Sequence, residues 1–290
     1  MPKIALSPQP SLLSTDVPGA NDPKKALLDA VRAADRDRYL AALYAPEDKR
    51  AAVLALYAFN AEIAAIRDRV SEPMPGEIRL QWWRDVIASG NREAGHPVAT
   101  ALIAAIETYR LPVAAFDNYL EARIFDLYDD PMPSRTDLEG YCGDTASALI
   151  QLAALVLDAD EAPKHAELSG HAGCAQSIAG LLRLLPVHRA RGQCYVPRDL
   201  LAAAGLTPAE FVAGDDAKSS VAIQAMIALA REHLRAFERG AKALPQTLRP
   251  AFLPVALTPA YLDRVERGKD GMSALRKHLT MVATASRGWR

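Results

Sequence analysis

Residues 136–157 read TDLEGYCGDTASALIQLAALVL and predict a long helix near the middle of the chain. Thr136 and Glu139 have the spacing of a capping box, in which each side chain bonds to the backbone of the other residue. The apolar run from Ala146 to Leu157 is interrupted by Gln151 and falls short of the ~20 residues that cross a bilayer. The stretch therefore predicts a buried helix of a soluble protein.

Similar helix signals lie on both sides of this stretch, and the alternation typical of strands is almost absent. Pro23 follows a capping side chain, Pro73 and Pro75 are expected to close a helix, and Thr207 opens a second capping box. We predict one all-α domain over residues 21–290, preceded by a flexible leader over residues 1–20. The predicted helices span residues 23–34, 46–68, 77–89, 97–109, 112–128, 136–157, 163–185, 221–244, 258–268 and 272–285, with a short helix after Thr207.

Composition excludes several classes of function. The 290 residues are 50% hydrophobic and carry 34 basic and 35 acidic residues, so no basic surface for nucleic acid is expected. The cysteines, Cys142, Cys174 and Cys194, are odd in number and far apart, which disfavours a disulfide framework or a zinc site. Because no secretory signal is visible, we expect a cytoplasmic protein, with peripheral contact at the inner membrane left open.

Six segments, in matching order and spacing, resemble the squalene/phytoene synthase superfamily. Enzymes of this superfamily join two prenyl diphosphates head to head. The resemblance implies the isoprenoid synthase fold, a single helical domain around a deep central cavity. The segments are residues 50–68, 78–84, 96–98, 137–142, 175–183 and 191–197.

The metal motifs of the active members are degenerate here. In those members two DxxxD motifs face each other across the cavity mouth, because residues at i and i+4 share one helical face and can hold Mg²⁺ for the diphosphate. In this sequence the first motif falls on Ala64 and Asp68, and the second falls on Leu184 and His188. Losing most of both sites should leave negligible prenyl transfer.

One branch of the superfamily, which contains a mitochondrial complex I assembly factor, shares these departures. The resemblance lies in residues 58–62 and 79–83, and most specifically in residues 182–188, which read LRLLPVH. It implies a protein without catalysis that helps to assemble respiratory complex I, the NADH:quinone oxidoreductase, or that binds lipid for it. The alternative is an active prenyltransferase that uses farnesyl or geranylgeranyl diphosphate in isoprenoid, hopanoid or carotenoid synthesis.

The site prediction follows from this resemblance. We assign no catalytic residue, no metal ligand and no cofactor, with Mg²⁺ required only under the prenyltransferase alternative. The expected partners are a prenyl lipid or quinone-like ligand and subunits of a membrane respiratory complex, and no nucleic acid. An apolar tunnel should carry polar ligand-binding residues at its mouth: Arg67, Asp68, Tyr141, Gln176, Arg183, His188, Arg191 and Tyr195.

Two questions stay open at this point. Arginines 67, 183, 189 and 191 could bind a phosphate without metal, or could form ordinary surface salt bridges. The small residues between Gly170 and Gly180 could leave room for a chain-like ligand, or could allow close helix packing.

Overall fold

The computed structural model describes residues 23–214, 217–269 and 271–289, so the predicted leader lies outside the described residues. Helices make up 79% of the described residues, which contain no β-strand, and this confirms the all-α prediction. The α-helices of the described residues are α1 (Pro23–Ala34), α2 (Arg36–Ala42), α3 (Glu47–Ala64), α4 (Pro73–Ser89), α5 (Pro97–Tyr109), α6 (Val113–Ala122), α7 (Arg135–Cys142), α8 (Ala148–Leu157), α9 (Ala166–Arg183), α10 (Leu185–Ala190), α11 (Arg198–Ala203), α12 (Pro208–Ala213), α13 (Ala217–Ala241), α14 (Arg249–Phe252), α15 (Thr258–Glu266) and α16 (Ala274–Arg287).

The predicted end of the second long helix is wrong. Proline 73 does not close that helix but begins α4, where its missing N–H group costs nothing because first-turn N–H groups have no partner in the helix. Helix α3 already ends at Ala64 and is followed by a 3₁₀ turn over Arg67–Arg69. Residues 64 and 68 therefore do not share one helix face.

The central helical run is longer than its apolar part suggested. It extends from Arg135 to Leu157, with a π-helical turn over Gly143–Ser147 between α7 and α8. Its cap is Ser134, which accepts a hydrogen bond from the Asp137 N–H, so the capping box predicted at Thr136 is wrong. The run is long and apolar enough to cross a membrane, but 61% of its most apolar window is buried, as in the core helix of a globular fold.

Helix α9 crosses this central run at very short range. A Cβ atom built on Gly173 would lie 2.2 Å from the Ser147 Oγ and 2.3 Å from the Ser147 backbone N, so only glycine allows this approach. A Cβ atom built on Gly180, two turns later, would meet nothing within 4 Å. The small residues of α9 thus serve both purposes left open by the sequence, close packing at Gly173 and open space at Gly180.

Two apolar clusters hold the helices around a central cavity. The large core includes Phe59, whose ring packs edge-to-face against the rings of Trp83 and Phe116. A small separate cluster is centred on Tyr261 and Met281, and it holds α15 and α16 near α2. The C-terminal helices are therefore positioned to close one side of the cavity.

Candidate functional site

The central cavity has a volume of about 460 Å³, within the usual range for small-molecule sites. Helices α2, α3, α9, α15 and α16 all contribute side chains to its wall. Charged, polar and apolar side chains all line the cavity, so it is not the apolar tunnel that we expected. Its charged members are Asp35, Arg36, Asp37, Arg38, Arg123, Arg183 and Lys277, five basic and two acidic residues.

The first degenerate motif contributes no carboxylate to the cavity. Ala64, the last residue of α3, lines the wall. Asp68 lies outside the lining, on the 3₁₀ turn beyond the helix, where its Oδ1 is 2.6 Å from the Arg191 Nη1. Because α3 ends at Ala64, the i and i+4 geometry of a metal motif is absent here.

The second degenerate motif is split between two helices. Leu184 caps the end of α9, is 52% exposed and lines the cavity. His188 lies on α10, is buried, and packs against Tyr195 in a tilted arrangement with 4.7 Å between ring centroids. Burial lowers the pKa of His188, which favours the neutral imidazole.

The two carboxylates in the cavity wall are both bound to cations. Asp35 caps α2 and accepts a 2.6 Å hydrogen bond from the Arg38 Nη1. Asp37 accepts a 2.8 Å hydrogen bond from the Lys277 Nζ and another from the Tyr261 hydroxyl. Burial alone would raise the pKa of Asp35, but the Arg38 charge and the hydrogen bonds lower it.

These side chains do not fit a pair of magnesium sites. Magnesium takes oxygen ligands in near-octahedral geometry, and the motif positions offer the methyl group of Ala64 and the apolar side chain of Leu184. Among the described residues, no group of three or more His, Cys, Asp or Glu side chains is placed to hold a metal ion.

Some polar groups in the wall lack partners that a ligand could supply. The Arg183 guanidinium lies 3.8 Å from the centre of the Tyr261 ring, and within the described ranges no carboxylate lies within 4.0 Å of Arg183 or Arg36. The Gln176 Oε1 is buried without a hydrogen-bond partner in the described structure. This arrangement is suited to an anionic group with hydrogen-bond donors, because arginine binds phosphate or carboxylate without metal.

A largely buried polar network lies behind the cavity, centred on Asp126. Its carboxylate accepts hydrogen bonds from Tyr141 at 2.8 Å, from Tyr195 at 2.7 Å and from the Arg123 Nη1 at 2.9 Å. Burial raises the pKa of Tyr195, and the Asp126 charge raises it further, so its hydroxyl stays protonated as a donor. The network fixes two cavity-wall residues, Arg123 and Tyr141.

The structure brings three of the eight predicted ligand-binding residues to the cavity wall, Tyr141, Gln176 and Arg183. The other five lie outside the lining, and their role in binding stays a prediction. Arg67 is 3.4 Å from Asp129, Asp68 pairs with Arg191, and His188 packs against Tyr195.

Three of the four arginines left open have other partners. Arg67 and Arg191 are paired with carboxylates as described, and the Arg189 guanidinium lies over the Phe211 ring at 4.7 Å. Of this set, only Arg183 lines the cavity.

The sequence analysis did not identify the charged cavity residues at α2, Asp35 to Arg38, or the cavity residues Tyr261 and Lys277 from the C-terminal helices. The alternating charges of residues 35–38, which read DRDR, directly after α1 were the available signal for the first group. Tyr261 and Lys277 come from the last third of the chain, where the sequence offered only further helices. Nothing local marks them as cavity residues, because tertiary packing alone brings them there.

Comparison with known proteins agrees with this architecture. The family model described as "Squalene/phytoene synthase" matches residues 31–283. The chain is 31% identical over 259 residues to "NADH dehydrogenase (ubiquinone) complex I, assembly factor 6" of Bos taurus, covering 86% of this chain and 75% of the relative. It is 30% identical over 186 residues to "Presqualene diphosphate synthase" of Rhodopseudomonas palustris, covering 63% of this chain and 66% of that enzyme.

The fold is that of solved squalene synthases. The structure of a squalene synthase from Alicyclobacillus acidocaldarius superposes with a TM-score of 0.70 at 21% identity, covering 85% of this chain and 94% of that one. This confirms the predicted isoprenoid synthase fold. Since the family model spans most of the chain, the protein belongs to the squalene/phytoene synthase family.

Proposed function

We propose that this protein is an assembly factor for NADH:quinone oxidoreductase and does not catalyse prenyl transfer. The observation that carries the proposal is the pair of apolar side chains, Ala64 and Leu184, on the cavity wall at the positions where active members hold metal. The similarity to an assembly factor of complex I along 86% of the chain supports the same conclusion.

The proposed role includes ligand binding in the central cavity. We propose that it binds the polar head of a prenyl lipid or quinone-like molecule through Arg183 and Gln176, with the chain running past the small side of α9 at Gly180. The protein would work in the cytoplasm, in peripheral contact with the membrane that holds the respiratory complex. A second picture keeps only the helical surface as a docking site for a client subunit.

The experiment is a genetic rescue. In a strain that lacks the gene, the wild-type protein should restore assembled NADH:quinone oxidoreductase on native gels. Arg183→Ala, which removes from the wall a guanidinium that lies over the Tyr261 ring and has no carboxylate partner in the described structure, should fail if the ligand is needed. The matched control is Arg189→Ala, which removes an arginine stacked on an aromatic ring outside the lining and should rescue.

Each outcome separates the two pictures. Full rescue by a folded Arg183→Ala variant would show that the contact to an anionic head is dispensable, and would favour the docking surface. If the amount of assembled complex is the same with and without the wild-type gene, both pictures are contradicted.

Prenyl transfer stays the second candidate, because the chain resembles a presqualene diphosphate synthase and the cavity wall has an excess of basic side chains. Purified protein is incubated with farnesyl or geranylgeranyl diphosphate and Mg²⁺, and the extract is searched for C30 or C40 products. Multiple turnovers of either substrate would make the enzyme the better proposal.

A further inference from the structure

Helix α16 presents an apolar stripe to solvent. Leu275, Leu279 and Val282 lie at i, i+4 and i+7, which places them on one helical face, and they are 69%, 58% and 42% exposed. The opposite face is anchored in the fold through Met281, which is fully buried. An amphipathic helix normally turns its apolar side inward, and α16 has apolar side chains on both faces.

Basic residues lie beside this stripe and in the turn before it. Residues 267–287 contain five Lys or Arg residues and one acidic residue, in a chain whose charges otherwise nearly cancel. One of the five, Lys277, faces inward and is paired with Asp37. Arg276 and His278 are exposed on the two flanks of the stripe, and Arg267 and Lys269 are exposed in the turn before the helix. Apolar side chains flanked by basic residues are typical of helices that lie in the interface of an anionic membrane.

Exposed apolar side chains also lie on α4, so apolar exposure alone does not distinguish α16. On α4, Met74 and Ile78 are 72% and 64% exposed at the same i and i+4 spacing. There the neighbouring charges are mixed, since Glu77 and Asp85 accompany Arg79. An anionic surface therefore attracts the α4 stripe less strongly than it attracts α16.

We propose that the outward face of α16 docks the protein on a bilayer that contains anionic lipid. Leu275, Leu279 and Val282 enter the boundary between headgroups and acyl chains, while Arg276 reaches the phosphates along its aliphatic stem. A second copy of the chain fits this face less well, because two such faces would bring like charges together.

Docking through α16 has a consequence for the cavity. Lys277, on the inward side of the same helix, lines the cavity and binds Asp37. The cavity wall therefore lies within one helix diameter, about 10 Å, of the proposed bilayer surface. A prenyl or quinone-like molecule could pass between bilayer and cavity along a short path beside α16.

Docking through α16 extends the proposed function. It depends on that function only for the passage of a prenyl or quinone-like ligand, and not for the binding to the bilayer. Vesicle binding is measured on the purified full-length protein by flotation with phosphatidylcholine vesicles, with and without phosphatidylglycerol. The variants are Leu275→Asp/Leu279→Asp on α16 and, as the matched control, Met74→Asp/Ile78→Asp on α4. All four positions are exposed, so circular dichroism should show unchanged helix content.

We expect binding to vesicles that contain phosphatidylglycerol and weak binding to phosphatidylcholine alone. Each lost leucine should lower the partition coefficient about tenfold, and Arg276→Gln should lower it about fivefold on the anionic vesicles only. The α4 variant should bind like the wild type.

Three results would overturn the proposal. One is an absence of vesicle binding by the wild type, and the second is an equal loss of binding in the α4 and α16 variants. The third is a wild-type dimer in solution that the α16 variant converts to a monomer, which would assign the stripe to a second copy. Because these readouts do not involve complex assembly, their failure is distinguishable from failure of the genetic rescue.

Discussion

Replacing Gly173 by alanine tests the close crossing of α9 over the central helix. The new Cβ would lie 2.2 Å from the Ser147 Oγ and 2.4 Å from the Ser147 Cα, whereas ordinary contacts are 3.4–4 Å, so the two helices must separate by about 1 Å. Overpacking of a core costs about 1–3 kcal/mol, and the upper end is expected because the clash is with backbone. With a urea m-value near 3 kcal/mol/M, the midpoint should fall by about 1 M.

Gly180→Ala is the matched control on the same helix. Its Cβ would meet no atom within 4 Å, so the substitution should add helix propensity and stabilise the protein by about 0.5–1 kcal/mol. Urea unfolding followed by circular dichroism measures both variants. Equal midpoints for the two variants, or a Gly173→Ala protein as stable as the wild type, would refute the close approach.

Further predictions concern charge and hydrogen bonding. The pKa of Asp35 is lower in the folded protein than in the unfolded chain, where it is about 4. Ionised Asp35 therefore stabilises the protein above pH ~4, and this contribution is lost as the pH falls through the folded pKa. Asp35→Asn keeps a capping side chain and should make the free energy of unfolding depend less on pH below about 4. An unchanged acid limb would contradict this. Asp126→Asn should lower the free energy of unfolding by up to about 3 kcal/mol, because it leaves the largely buried Arg123 charge without its counter-ion. Tyr195→Phe removes a single hydrogen bond and should cost only about 1 kcal/mol; chemical denaturation measures both, and equal losses would argue against Asp126 as the centre of the network.

Much of the fold follows from local signals. Helix α5 begins at Pro97 and ends at Tyr109 as predicted, and the capping box at Thr207 is formed with Glu210. Both starts depend on side chains next to the helix, which a sequence displays directly. Pro73 was misassigned because proline is common both just after the end of a helix and in the first turn of a helix. Which of the two applies depends on how far α4 extends toward the N-terminus, and the sequence does not show this directly.

The site was less predictable, because tertiary packing assembles it. Resemblance to the family placed Tyr141, Gln176 and Arg183 at the cavity, and the structure puts all three in its wall. It could not show that α3 ends at Ala64 and so directs Asp68 elsewhere.

Measuring assembled NADH:quinone oxidoreductase in a strain that lacks the gene tests the proposed function most directly. Native gels and NADH:quinone activity are compared with the parent strain, and C30 and C40 isoprenoids are extracted from the same cultures. We predict less assembled complex, lower activity and unchanged isoprenoids, all restored by the wild-type gene. Normal assembly together with the loss of a hopanoid or carotenoid would contradict the proposal and identify the protein as a prenyltransferase.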